Sequence, residues 1–168
     1  EKDGAYLVFG FDGDRDLVSG ETSAVLDFFE NAILDPSLAA MERQLPLNPL
    51  DGFTVPGSHA SPAFVDLDAD GDPDVVAGAY SGLFSLYENT RSATSAAYLE
   101  RFGGAHPLDA VDLGELVAPA FGDLDGDGDP DLVAGRFAGS LAWLENTGSA
   151  TAPVYVPRTG AANPLNGV

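Results

Sequence analysis

The chain repeats itself, and the repeat constrains its fold more than any other feature of the sequence. "FDGDRDLVSG" (Phe11–Gly20), "ADGDPDVVAG" (Ala69–Gly78) and "GDGDPDLVAG" (Gly126–Gly135) lie 58 and 57 residues apart. The longer stretches "DLDADGDPDVVAG" (Asp66–Gly78) and "DLDGDGDPDLVAG" (Asp123–Gly135) agree at 11 of 13 positions. The register persists downstream. "AVLDFFENA" from Ala24 aligns with "GLFSLYENT" from Gly82 and "GSLAWLENT" from Gly139, and "NPLDGF" from Asn48 aligns with "HPLDAV" from His106 and "NPLNGV" from Asn163. A period of this length signals an array in which each unit buries its apolar faces only against its neighbours.

Each unit reads as four short extended segments separated by turn residues. In the middle unit they run at about 62–68, 74–80, 82–89 and 98–102, with Ser81-Gly82 marking a tight hairpin. "DPSLAAMERQL" (Asp35–Leu45) has the composition and start signals of a short helix. The repeat instead sets Met41-Glu42-Arg43 against Leu99-Glu100-Arg101, which predicts a fourth strand there. Four strands in 57 residues predict an all-β chain, a β-propeller of four-stranded antiparallel blades, with three blades at about 1–58, 59–115 and 116–168. Phe28, Leu86 and Trp143 coincide in the alignment, as do Phe29, Tyr87 and Leu144, and both sets are expected to pack between blades.

Composition narrows the partners. A formal charge of −20, from 27 acids against seven Lys and Arg, disfavours nucleic acid and anionic membranes. No apolar run approaches the roughly 20 residues needed to cross a bilayer, so no membrane insertion is expected. The absence of cysteine excludes disulfides, thiolate metal sites and cysteine nucleophiles, and leaves the compartment open.

Thirteen of the 27 acids fall in the three repeated loops, where carboxylates at alternate positions can converge on one hard cation. Asp66, Asp68, Asp70 and Asp74 would offer side-chain oxygens and Asp72 its backbone carbonyl. Asp123, Asp125, Asp127, Asp131 and the Asp129 carbonyl repeat the set. Gly71 and Gly128 occupy the sixth loop position, where a sharp turn favours positive φ. The bidentate Glu that an EF-hand needs at its twelfth position is replaced by Ala77 and Ala134. Calcium suits many flexible oxygen ligands better than magnesium, and zinc lacks nitrogen or sulfur ligands. In the first unit, Val8 and Gly10 replace the first two ligands while Asp12, Asp14 and Asp16 survive. Two strong calcium sites and a weak or absent third are expected.

These loops, together with Phe121-Gly122 before the third, resemble the FG-GAP/VCBS repeats of integrin-α-like calcium-binding β-propellers. The resemblance implies that the loop joins the first two strands of a blade, that calcium is structural, and that the location is extracellular or the cell surface. Gly78-Ala79-Tyr80 and Gly135-Arg136-Phe137 stand where FG-GAP repeats carry Gly-Ala-Pro, which favours the VCBS-like side of the group.

Propellers typically hold four to eight blades. Three are therefore expected either to close a six-bladed ring with a second copy, the favoured partner, or to form part of a longer propeller. The leading reading is a non-catalytic scaffold or interaction module. A carbohydrate-binding or adhesive propeller, with a glycan or an extracellular protein as partner, is the alternative, and a fragment of a propeller polysaccharide lyase ranks third. His59 and His106 read as turn residues. The pairs Glu30-Asn31, Glu88-Asn89 and Glu145-Asn146 recur in every unit, which suggests hydrogen bonding at a strand end rather than acid–base chemistry.

Overall fold

β-Branched and aromatic residues flanked by Gly, Pro and Asp punctuation produce short strands throughout. The structure, a computed structural model, describes residues 6–9, 16–30, 41–42, 49–92 and 95–165. The first sheet contains β1 (Tyr6–Phe9), β2 (Asp16–Gly20), β3 (Leu26–Glu30) and β4 (Met41–Glu42). The second contains β5 (Ser61–Val65), β6 (Asp74–Gly78), β7 (Phe84–Asn89) and β8 (Tyr98–Arg101). The third contains β9 (Ala118–Gly122), β10 (Asp131–Gly135), β11 (Leu141–Asn146) and β12 (Tyr155–Arg158). Each sheet is an antiparallel meander in chain order. The segment expected to be torn between helix and strand supplies β4, where Met41 and Glu42 pair with Glu30 and Phe29. Helical structure among the described residues is limited to two three-residue 3₁₀ turns, Gly103–Ala105 and Gly160–Ala162.

The sheets stack face to face. Alternation along β6 sends Val75 and Ala77 to one side and Val76 to the other, so this strand is buried on both faces. One core joins Val18, Leu26, Phe28 and Leu50 of the first unit to Phe64, Val75, Ala77 and Tyr87 of the second. The other joins Val76, Phe84, Leu86 and Leu108 to Leu132, Ala134 and Leu144 of the third. β5 lies between β1 and β9, so the first strands are adjacent. This arrangement is consistent with consecutive propeller blades.

The connections between units are held by a repeated set of backbone bonds. Val55, His59 and Ala60 donate to the carbonyls of Ala24, Thr22 and Glu21 at 3.0, 3.4 and 3.1 Å. One unit later, Leu113, Leu116 and Val117 donate to Gly82, Tyr80 and Ala79 at 3.1, 3.0 and 3.2 Å. So close is this approach that a Cβ on Gly20 would overlap the Ala60 carbonyl, and one on Gly78 the Val117 carbonyl. Glycine is required at both positions for space.

Candidate metal centre

The aspartate loops join β5 to β6 and β9 to β10, between the first two strands of a unit. Each folds around its own carboxylates. Asp66 accepts from the N–H groups of Asp70 at 3.2 Å and Gly71 at 3.0 Å, and Asp70 accepts from Asp72 N–H at 3.0 Å. Asp123 accepts from Gly126 at 2.7 Å and Gly128 at 3.0 Å, and Asp127 from Asp129 at 2.9 Å. Side-chain acceptors of this kind hold a tight turn without a ladder. Gly71 and Gly128 both have φ of 96°, as the sixth position demands.

Two acid triads result. Asp66, Asp68 and Asp70 bring one oxygen each within 4.8 Å of one another, and Asp123, Asp125 and Asp127 do the same. Ligands on opposite sides of a calcium ion, each about 2.3–2.6 Å from it, stand about 5 Å apart, so the spacing leaves room for that ion. Asp72 is almost wholly buried and its Oδ1 has no hydrogen-bond partner. An all-oxygen donor set with an orphaned buried carboxylate oxygen beside it fits a hard divalent cation. Burial, and then the surrounding carboxylates, hold Asp68 and Asp72 above the usual carboxylate range.

Asp74 and Asp131 stand apart from the triads. Asp74 accepts from Leu67 N–H at 3.0 Å and from Asn89 N–H at 2.8 Å, one bond to each oxygen. Asp131 accepts from Leu124 at 3.0 Å and Asn146 at 2.7 Å in the same way. Each therefore ties the start of the loop to the end of the third strand. Burial pushes Asp74 up to about 7, against the lowering effect of these two bonds. Asp129 lies in its loop outside the triad. In the first unit, Asp12 and Asp14 lie outside the described residues, and Asp16 opens β2.

Behind each loop sits a network that the aspartate pattern does not announce. Asn89 Oδ1 accepts from Arg91 and Ala97 N–H, and Asn146 Oδ1 accepts from Gly148 and Val154 N–H, which shapes the link from third to fourth strand. The Tyr98 and Tyr155 hydroxyls donate to the Pro73 and Pro130 carbonyls inside the loops, at 3.4 and 3.1 Å. Arg101 grips Glu88 through two bonds of 2.8 and 2.5 Å, and Arg158 grips Glu145 at 2.7 and 2.6 Å. The signal for these pairs was present as Glu and Arg 13 residues apart in every unit: Glu30 and Arg43, Glu88 and Arg101, Glu145 and Arg158. Arg43 itself lies outside the described residues.

With two such loops between first and second strands, the repeat has a recognisable form. Residues 66–134 match the FG-GAP-like repeat family. The match begins at the first aspartate of the middle loop and ends within β10, so it spans one full FG-GAP-like period and both triads. Neither the curated proteins nor the solved structures searched contain a match to the chain.

A cleft of about 380 Å³ opens beside the middle loop. Asp68, Asp74 and Glu88 line one side, and Thr151 and Val154 of the next unit line the other. His106 does not line it, although its neighbours Ala105 and Pro107 do; its Nε2 is bonded to the Phe84 carbonyl at 3.1 Å and its Nδ1 accepts from Leu108 N–H at 3.2 Å. Burial holds its imidazole below the ordinary histidine value. It is a buried turn residue.

Proposed function

We propose that the chain is a non-catalytic, calcium-stabilised interaction module of the β-propeller type. The observation that carries this reading is the pair of acid triads built on two loops that share all but one of their internal bonds and are anchored at the same two points. Asp66, Asp68 and Asp70 would hold one ion and Asp123, Asp125 and Asp127 the other, with oxygens of Asp72 and Asp129 from the same loops completing each shell and Asp74 and Asp131 bracing the loop ends. Calcium would neutralise crowded carboxylates and fix the loop between the first two strands of its blade. At a hundredfold excess over the dissociation constant, each site would add about 2.7 kcal/mol to stability. Sites of the weak extracellular class would fill where calcium is millimolar, which agrees with an extracellular or cell-surface location. Glu88 and Glu145, each committed to an arginine, support a structural rather than an acid–base role.

Thermal unfolding of chelator-stripped protein, with and without millimolar calcium and then magnesium, tests this. A rise in Tm with calcium that exceeds the rise with magnesium is expected, and equal Tm in all three conditions would overturn the reading. The interblade cleft gives a second reading, glycan binding, some support, because it sets carboxylates opposite an exposed apolar rim. Calcium-dependent signals on a glycan array would favour it over a bare scaffold.

A further inference from the structure

The two complete aspartate loops share a partner that the first unit lacks. Tyr98 and Tyr155 open the fourth strands of the second and third units. Each hydroxyl donates to a proline carbonyl 25 residues earlier in the chain, Pro73 at 3.4 Å and Pro130 at 3.1 Å. At the aligned positions of the first unit, Ala40 stands for the tyrosine and Arg15 for the proline, alongside the Val8 and Gly10 that replace the first two ligands. Tyrosine, proline and the full set of aspartates are kept together in two units and lost together in the other.

Each proline separates two aspartates with different tasks. Asp72, with its orphaned buried Oδ1, precedes Pro73, and Asp74, bonded to two backbone N–H groups, follows it. Asp129 and Asp131 flank Pro130 in the same order. The pyrrolidine ring fixes φ and the peptide bonds are planar, so ψ of the proline is the soft dihedral left between the two aspartates. A hydroxyl bonded to the proline carbonyl holds that ψ. The tyrosines are themselves held, at 9% and 8% exposure, Tyr98 in the core that joins the first and second units and Tyr155 in the core that joins the second and third. Burial, and then the neighbouring Asp74 and Asp72, keep the Tyr98 hydroxyl above the ordinary tyrosine value, and burial, Asp131 and Asp129 do the same for Tyr155, so both remain protonated donors.

We infer that Tyr98 and Tyr155 are positioning residues of the two metal loops, each coupling cation binding in its loop to the packing of its unit against the preceding one. Neither belongs to an acid triad, and each acts through its proline carbonyl. A tyrosine fixed in the core preorganises the loop and so strengthens binding, and by reciprocity a filled loop steadies the tyrosine at the junction. The inference rests on the calcium reading and adds to it the route by which the loops stabilise the stacked sheets.

The test is calorimetric titration of calcium into chelator-stripped Tyr98→Phe and Tyr155→Phe, which keep the buried ring and lose only the hydroxyl. Each is measured in an Asp125→Asn background, where the middle site remains, and in an Asp68→Asn background, where the third-unit site remains. At the middle site Tyr98→Phe is expected to bind about fivefold more weakly and Tyr155→Phe with unchanged affinity, and at the third-unit site the pattern reverses. Each tyrosine variant should also lose more Tm in millimolar calcium than in chelator, whereas a hydroxyl of purely structural value would lower both equally. Unchanged affinity at both sites, equal weakening of both sites by either variant, or equal Tm losses with and without calcium would overturn the inference and leave the calcium reading standing. No calcium binding by the wild-type chain would overturn both.

Discussion

Replacing Asp131 with alanine separates a structural strut from a metal ligand. Asp131 is 1% exposed and gives one carboxylate oxygen to Leu124 N–H and the other to Asn146 N–H. Truncation leaves two donors without partners, at about 1–3 kcal/mol each when buried. The Leu124 bond is only part-buried, so water can recover some of its share, and removing a buried carboxylate returns some desolvation energy. The net loss expected in chelator is about 3 kcal/mol, a large part of the roughly 5–15 kcal/mol that stabilises a typical domain. Asp127→Ala is the contrast. Its carboxylate is exposed and crowded by acids, and relief of that crowding together with water at the freed Asp129 N–H offsets the lost 2.9 Å bond, so in chelator it should change stability by less than about 1 kcal/mol. In hundredfold calcium it should lose its site's whole contribution, about 2.7 kcal/mol. Urea unfolding followed by Trp143 fluorescence measures both. An Asp131→Ala chain within about 0.5 kcal/mol of wild type in chelator would refute the strut assignment.

Other outcomes follow from single residues. His106 is held neutral by burial and by accepting Leu108 N–H, so its native pKa lies below the unfolded value of 6.5. Its contribution is complete above pH 6.5 and is lost as pH falls below it, at up to about 1.4 kcal/mol per pH unit until the native value is passed. Denaturant midpoints between pH 7.5 and 5 should therefore fall less steeply in His106→Gln than in wild type. Ala69 has φ of 58° where the third loop has Gly126, so Ala69→Gly should stabilise by about 0.5 kcal/mol, read as a Tm gain of about 1–2 °C. Gly78→Ala drives a methyl into the Val117 carbonyl and should cost about 3 kcal/mol in a urea titration.

Period and punctuation made the architecture legible. The middle unit's strands fall where alternation and turn residues put them, and Met41–Glu42 forms a strand because pairing with β3 overrides local helix propensity. The positive φ at Gly71 and Gly128 was equally readable, since the loop's sharp turn requires it. What the pattern of aspartates could not reveal is that Asp74 and Asp131 point both oxygens at backbone N–H groups, because the donors lie 7 and 15 residues away along the chain. Packing of Trp143 between blades was expected from its alignment with Phe28 and Leu86. Among the described residues Trp143 is buried and borders a cleft of the third unit, outside the two interblade cores. The junction bonds were hidden for a different reason: backbone carbonyls carry no residue type.

The central claim is that calcium holds the two aspartate loops, and a calorimetric titration of calcium into the chelator-stripped chain tests it most directly. Two equivalents per chain are expected, falling to one in Asp68→Asn and in Asp125→Asn and to none in the double variant. No saturable binding in the wild type, or two equivalents retained in the double variant, would contradict it.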